Sequence, residues 1–151
     1  MTKVFLDTNF FLDILDVSRE RHQQAQMCLN YFLESGIKLY TSSDIVSTIS
    51  YFLQKRLAMN EVVKNIDFIV QEITVLSGDN SDFVALNKLI LKSLEKSDLK
   101  IDYEDCMQLY LADKYECDTI LTSDRQFCQG VNKIFDVGIV SLDECMIQKD
   151  K

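Results

Sequence analysis

Residues 3–16 read Lys-Val-Phe-Leu-Asp-Thr-Asn-Phe-Phe-Leu-Asp-Ile-Leu-Asp. The segment from Lys3 to Asp7, with its apolar Val-Phe-Leu centre, predicts a short buried strand. Thr8 and Asn9 follow directly, and short polar side chains of this kind satisfy free amide groups at the start of a helix. We therefore expect a helix that continues to Asp16. The segment predicts a strand that passes into a helix, with an acidic residue at the junction.

Helical and strand patterns continue to alternate beyond this segment. Helix-like spacing of apolar residues, with polar residues at the starts, predicts helices over 18–35, 43–53, 60–73 and 81–95 and from Asp102 onward. Short apolar runs predict strands at 37–41, 74–76, 118–122, 134–135 and 138–140, with a loop or helical turn over 123–130. This alternation predicts an α/β fold, a three-layer α/β/α domain with a mostly parallel sheet of about four or five strands. We interpret residues 1–151 as a single domain.

The composition restricts the class of protein. No stretch of the 151 residues approaches the roughly 18 consecutive apolar residues that span a bilayer, and the first residues lack the pattern of a signal peptide. We therefore expect a cytoplasmic protein with no membrane association. The five cysteines form no CxxC pair, so a zinc knuckle is not expected. Cys28 and Cys106 fall on apolar helical faces, so their thiols are predicted to be buried. The only histidine, His22, lies in a polar stretch and is expected to be solvated.

The net charge of −8 argues against a protein that binds nucleic acid through a broad basic surface. It does not argue against a nuclease whose carboxylates attract a divalent cation, because the cation then attracts the phosphate. Acidity also suits a basic protein partner, or it simply aids solubility.

Three aspartates mark a candidate site. Asp7 closes the first strand, Asp124 follows the strand that ends in Leu121-Thr122, and Asp105 lies in the first turn of a helix. Ligands of open α/β sheets bind beyond the carboxyl ends of the strands, where these acids can converge. Crowded carboxylates repel one another, and Mg²⁺ or Mn²⁺ relieves the repulsion through the oxygen ligands that it prefers. Each aspartate alone is a weak signal, because aspartate is common at helix starts simply as a cap, so the combination carries the interpretation.

Three segments together resemble a known family. They are Val4-Phe-Leu-Asp-Thr-Asn-Phe-Phe-Leu-Asp-Ile-Leu15, Asp102-Tyr-Glu-Asp-Cys-Met-Gln-Leu-Tyr-Leu-Ala112 and Thr119-Ile-Leu-Thr-Ser-Asp-Arg-Gln-Phe127. In this order they resemble the first, third and fourth motifs of PIN domains, the nuclease fold of bacterial toxins of the VapC type. The resemblance covers nearly the whole chain. It implies that Asp7, Asp105 and Asp124 are the metal-binding acids and that Thr122 is the usual hydroxyl neighbour of the last one.

The resemblance implies a ribonuclease that hydrolyses RNA phosphodiester bonds with Mg²⁺ or Mn²⁺, as the toxin of a type II toxin–antitoxin pair. It also implies an antitoxin partner and a homodimer. Two alternatives remain. One is a PIN fold that has lost cutting and serves as a binding module. The other is a phosphatase with Asp7 as nucleophile, although such enzymes usually need a second acid two residues on, where this chain has Asn9.

The second motif departs from the family pattern. An acid is expected in the helix after the second strand, and Thr48 stands at its position. Asp44, one turn earlier, shares a helix face with Thr48, so it either reaches the same pocket or only caps the helix. Glu104 is another source of the missing charge, although adjacent residues of a helix, such as Glu104 and Asp105, face different directions. By resemblance Asn9 helps to hold water or metal, and otherwise it caps the first helix.

Overall fold

The structure, a computed structural model, describes residues 1–96, 102–123, 135 and 137–149. Its strands are β1 (Lys3–Leu6), β2 (Lys38–Ser42), β3 (Thr74–Leu76), β4 (Thr119–Leu121) and β5 (Gly138–Val140). Its helices are α1 (Thr8–Leu15), α2 (His22–Glu34), α3 (Ser43–Gln54), α4 (Met59–Glu72), α5 (Asn80–Leu94), α6 (Tyr103–Lys114) and α7 (Leu142–Lys149). None of the helices in the described ranges has both the length and the apolar character that crossing a membrane requires.

The five strands form one sheet in the order β3-β2-β1-β4-β5, and every neighbouring pair is parallel. In the centre, Phe5 of β1 pairs with Tyr40 of β2 on one side and with Ile120 of β4 on the other. Because the strands are parallel, their carboxyl ends meet at one edge of the sheet. The predicted mostly parallel sheet is confirmed, and the edge that collects the strand ends is the place to look for a site.

Helices cover the two faces of the sheet. Helices α1, α2, α3, α4 and α7 pack against one another, whereas α5 packs against α6, which contacts β2 and β4. Val4, Phe5 and Leu6 of β1 have no exposed surface, as expected for a central strand of a sheet that is covered on both faces. The three-layer α/β/α prediction is therefore confirmed.

Most predicted boundaries lie within two residues of the observed ones, and Gly36, with a φ of +68°, ends α2 as predicted. The predicted start of that helix at residue 18 is wrong, because α2 begins at His22. The carboxylate of Asp16 accepts hydrogen bonds from the amide and the hydroxyl of Ser18, and such local bonds compete with a helical path. Helix α7 was not predicted. The predicted strand at 134–135 and loop at 123–130 lie largely outside the described residues.

The expectation of a solvated His22 is wrong. His22 begins α2 half-buried, and its Nδ1 lies 2.9 Å from the backbone oxygen of Asp13. The sequence around it is polar, but Asp13 comes from the helix that packs against α2. Neighbours in sequence therefore gave no information about this contact.

The expectation of buried thiols is confirmed for Cys28 and Cys106, and Cys117 and Cys145 are also buried. Burial, with a smaller contribution from Asp105, raises the pKa of the Cys106 thiol to about 11. Burial likewise raises the pKa of Cys117 to about 11. Both thiols are protonated at neutral pH, which leaves them poor nucleophiles.

A buried carboxylate joins α5 to α6. Asp82 Oδ1 accepts hydrogen bonds from Lys114 Nζ at 2.8 Å and from Tyr110 Oη at 3.0 Å, while Oδ2 accepts from the amide of Asp79. The hydrogen bond from Lys114, followed by the backbone hydrogen bond with Asp79, holds the pKa of Asp82 at about 2. These contacts fix the position of α6, whose first turn carries Glu104 and Asp105.

We expect Asp82→Asn to lower the free energy of unfolding by about 1.5–3 kcal/mol at pH 7, the usual contribution of hydrogen bonds to a charged group. The pKa of Asp82 is lower in the folded protein than its ordinary value of 3.8, so ionisation stabilises the fold above about pH 4. This contribution is lost as the pH falls towards about 2. Urea titrations at several pH values therefore should show the parent and the variant converging in acid.

Asp67→Asn is the matched control, since Asp67 is exposed on α4, and we expect it to leave the free energy of unfolding nearly unchanged. A constant difference between parent and Asp82→Asn from pH 7 to acid would show that the charge of Asp82 is not what stabilises the contact.

Candidate active site

Asp7 occupies the junction between β1 and α1. Its Oδ1 accepts a hydrogen bond of 2.7 Å from the amide of Thr8, so Asp7 is the N-cap of α1. The prediction that Thr8 and Asn9 cap this helix is therefore wrong. The helix begins directly after the strand, which leaves the cap position to the acid itself. Asp7 is 6% exposed, so its carboxylate lies at the sheet edge with little contact with solvent.

Thr122 fixes the other oxygen of the same carboxylate. Its Oγ1 donates a hydrogen bond of 2.7 Å to Asp7 Oδ2, and Thr122 is itself buried. Two backbone hydrogen bonds also join these strand ends. The amide of Asp7 donates to the backbone oxygen of Leu121, and the amide of Thr122 donates to the backbone oxygen of Val140. The ends of β1, β4 and β5 are thereby joined around Asp7.

The first turn of α6 brings further acids to this edge. Asp102 is the N-cap of α6, and its Oδ1 accepts a hydrogen bond of 3.1 Å from the amide of Asp105. Asp105 is half-buried one turn into the helix. Asp124, the third predicted acid, lies outside the described residues. Of the three predicted acids, the structure therefore describes Asp7 and Asp105.

Glu104 lies within electrostatic reach of several other acids. Partial burial of its carboxyl group raises the pKa of Glu104, although the residue as a whole is exposed, and the charges of Asp44, Asp102 and Asp7 raise it further. A carboxylate that is repelled from several sides favours whatever neutralises it, a proton or a cation. The first turns of α3 and α6 and the end of β1 thus present their acids to a common region.

Asp44 does not cap α3, so the interpretation of Asp44 as a helix cap is wrong. Ser42 holds the cap position, and Asp44 is the second residue of the helix. The strand β2 runs directly into α3, which shifts the helix start two residues earlier than a cap at Asp44 requires. Thr48 is half-buried one turn after Asp44. Asn9 is also half-buried, in the first turn of α1, where Asp7 has taken the cap role.

Two buried side-chain oxygens at or near this edge have no hydrogen-bond partner among the described residues. They are Ser42 Oγ, at the end of β2, and Gln108 Oε1, one turn after Glu104 on α6. Buried oxygens of this kind are normally satisfied by water or an ion. Like the carboxylates of Asp7 and Asp105, they are oxygen donors, the type of ligand that Mg²⁺ and Mn²⁺ prefer.

Within the described ranges, no three His, Cys, Asp or Glu side chains are grouped closely enough to hold a metal ion. Asp7 and Asp105 lie within those ranges, whereas Asp124, which follows Ser123 in the sequence, does not. The donors that are described fit a hard cation in type.

Sequence reasoning missed an ion pair, in which a buried carboxylate binds a partly exposed arginine. Asp13 is 4% exposed, and its Oδ1 accepts a hydrogen bond of 2.6 Å from Arg19 Nε. A cleft of about 390 Å³ opens there, and its lining residues are Asp13, Arg19, Glu20, Arg21 and Ser123. A signal was available, because Asp13 interrupts an otherwise apolar helix, and a buried acid in such a helix requires a partner.

Comparisons with known proteins agree with this architecture. Ribonuclease VapC1 of Aquifex aeolicus is 29% identical over 125 residues, which cover 83% of each chain. The crystal structure of VapBC2 from Rickettsia felis, bound to a DNA fragment from its promoter, superimposes with a TM-score of 0.70 at 15% identity, covering 93% of this chain and 98% of the other. The Mycobacterium tuberculosis toxin VapC20, which cleaves the sarcin–ricin loop, superimposes with a TM-score of 0.61 at 13% identity, covering 89% and 98%.

The sequence pattern that defines PIN domains matches residues 3–126 of this chain. That range runs from the start of β1 past the end of β4, and so includes all three predicted acids. The match covers well over half of the chain, and the parallel sheet with its acidic edge agrees with it. This protein belongs to the PIN-domain family.

Proposed function

We propose that this protein is a metal-dependent endoribonuclease and the toxin of a type II toxin–antitoxin pair. The observation that carries the proposal is the buried carboxylate of Asp7, held by Thr8 and Thr122 at the edge where the strands end. The similarity to ribonuclease VapC1 of Aquifex aeolicus supports RNA as the substrate. In this proposal Asp7, Asp105 and Asp124 hold Mg²⁺ or Mn²⁺.

Each acid comes from a different element, and each has a defined role in the proposal. Asp7 is held in one orientation by two donors, so its carboxylate needs little rearrangement to act as a ligand. Asp105 belongs to α6, and Asp124, which follows β4 in the sequence, is the third proposed ligand. A divalent cation bound by these oxygens lowers the pKa of a bound water and offsets the charge of the phosphate.

Glu104 and Asp44 supply the charge that the family's second acid would provide, in place of Thr48. Glu104 is close enough to Asp44 and Asp7 for their charges to act on it. Both lie in first turns of helices that start at this edge. Carboxylates at such positions would accept hydrogen bonds from water on a bound cation, and Asn9 and Thr122 would help to hold that water or the ligand carboxylates.

An antitoxin is the partner that this proposal requires. The structures that superimpose on this chain include VapBC2 of Rickettsia felis and a DNA-bound VapBC of Salmonella typhimurium. The net charge of −8 suits a basic antitoxin segment that covers the acidic edge. We further propose that residues 1–151 form one domain that acts as a homodimer in the cytoplasm.

The two alternatives make different demands on the site. A phosphatase with Asp7 as nucleophile lacks the usual second acid, since Asn9 stands two residues on. A PIN fold without catalysis would not bind Mn²⁺ at these acids. Metal binding and cleavage therefore separate all three functions.

Asp7→Asn is expected to reduce RNA cleavage in Mg²⁺ or Mn²⁺ by more than about 100-fold. Loss of an outer ligand costs about 10–100-fold in affinity or activity, and loss of a direct ligand costs more. Asparagine caps helices as well as aspartate does, so the fold should be retained. Cleavage of total RNA, followed on a denaturing gel, measures the effect, and a melting curve checks the fold.

The matched control is Asp67→Asn, the same chemical change on the exposed face of α4, which should cut RNA as the parent does. Cleavage by Asp7→Asn at the parent rate would rule out the proposed metal site. Acid-stable transfer of phosphate to Asp7 from a phosphate ester would instead favour the phosphatase.

Glu104→Gln is expected to weaken Mn²⁺ binding several-fold, because the site loses one of the charges that attract the cation. Asp44→Asn should act in the same direction, more weakly. Isothermal titration calorimetry gives both affinities. Glu72→Gln, at the exposed end of α4, is the control and should bind Mn²⁺ as the parent does. Parent affinity in both Glu104→Gln and Asp44→Asn would show that neither acid serves the site.

A further inference from the structure

We propose that Arg19, held in position by Asp13, binds a phosphate of the RNA backbone in the cleft next to the acidic edge. This inference rests on the proposed ribonuclease function and assigns a substrate-binding residue to it. The cleft measures about 390 Å³ and is lined by Asp13, Arg19, Glu20, Arg21 and Ser123.

The cleft adjoins the acids that we propose as the metal site. Ser123, in its wall, directly follows Thr122, whose hydroxyl donates to Asp7. On the other side, Asp13 is six residues after Asp7 along α1, which corresponds to roughly 9 Å of helix axis. A smaller pocket lined in part by Asp13, Thr122 and Ser123 lies between these elements. A strand of RNA with one phosphate at Asp7 therefore has a neighbouring phosphate within reach of the cleft.

In the Asp13–Arg19 pair, the side chain of the arginine is partly accessible to solvent, whereas that of the aspartate is buried. The side chain of Asp13 is 6% exposed, whereas that of Arg19 is 37% exposed. Among the described residues, the pair is made through Arg19 Nε alone. The terminal Nη1 and Nη2 groups remain as a planar donor fork, the geometry that binds a phosphate through two hydrogen bonds.

The other charges of the cleft are balanced and peripheral. Arg21 lies 3.9 Å from Asp143, with its side chain 40% exposed, and Glu20 is exposed. Since the formal charges of Asp13, Arg19, Glu20 and Arg21 cancel, the net charge of the cleft does not attract RNA. Recognition depends instead on the orientation that Asp13 gives to Arg19, which a mobile lysine would not reproduce.

The test compares variants in binding and in turnover. Arg19→Gln is expected to raise the Kd for mixed-sequence single-stranded RNA about 10-fold, as expected for one charge-assisted contact. For Arg19→Gln, the slope of log K against log salt concentration should also be smaller in magnitude by about 0.7, the value for one phosphate contact on a single strand. Arg19→Lys should weaken RNA binding as well, since lysine keeps the positive charge but lacks the two parallel N–H donors of the guanidinium group. Binding is measured with Ca²⁺ in place of Mg²⁺, and a gel confirms that the RNA is intact.

Two controls separate this contact from a loss of structure. Arg56→Gln breaks a similar pair, Arg56–Asp16 at 2.7 Å, outside the cleft and should leave RNA binding unchanged. Glu20→Gln removes a negative charge from the cleft and should tighten binding, whereas a disturbed fold would weaken it. In turnover with Mg²⁺, Arg19→Gln should raise KM more than it lowers kcat.

The outcomes distinguish this inference from the proposed function. Parent Kd and salt slope in Arg19→Gln, together with cleavage that depends on Asp7, would overturn the Arg19 contact and leave the ribonuclease in place. RNA binding that depends on Arg19, with cleavage indifferent to Asp7, would support the contact and overturn the proposed metal site. Equal losses in Arg19→Gln and Arg56→Gln, or no RNA binding by the parent, would also overturn the Arg19 contact.

Discussion

The hydrogen bond from Thr122 to Asp7 joins the end of the central strand β1 to the end of its neighbour β4. The same carboxylate caps α1 through the amide of Thr8. One side chain therefore ends a strand, begins a helix and fixes the neighbouring strand end. Because all five strands are parallel, every other element that contributes an acid also meets this edge. The position of Asp7 follows from the backbone around it, and the proposed chemistry depends on that position.

Helix α6 shows how stability and function are divided along one element. Its second half is tied to α5 by the contacts of Tyr110 and Lys114 with the buried carboxylate of Asp82. Its first turn instead exposes Glu104 to several neighbouring carboxylates, an arrangement that costs free energy in the absence of a cation. The ion pair between Asp82 and Lys114 stabilises α6 and so offsets the repulsion among the acids around its first turn. Functional sites commonly contain such locally unfavourable arrangements, which the rest of the fold stabilises.

The sequence predicted the features that depend on local patterns. The buried run of β1, the glycine that ends α2 and the parallel α/β architecture all follow from spacing and composition. It failed where a contact joins two different helices, as with His22 and Asp13, or where a helix follows a strand with no loop, as at Asp7 and Asp44. Propensities assign caps from residue type, whereas the chain geometry decides which residue holds the cap position. The cleft around Arg19 was also out of reach, because Ser123 comes from the far end of the chain.

The central claim is that a divalent cation lies against Asp7 and Asp105 at the carboxyl edge of the sheet. Anomalous diffraction from crystals grown with Mn²⁺ tests it directly, since the signal identifies the metal independently of activity. We predict an anomalous peak about 2.1 Å from carboxylate oxygens of these two residues, the distance at which small divalent cations bind oxygen. Saturating Mn²⁺ that gives no peak at these carboxylates, in crystals whose acidic edge is open to solvent, would contradict the account.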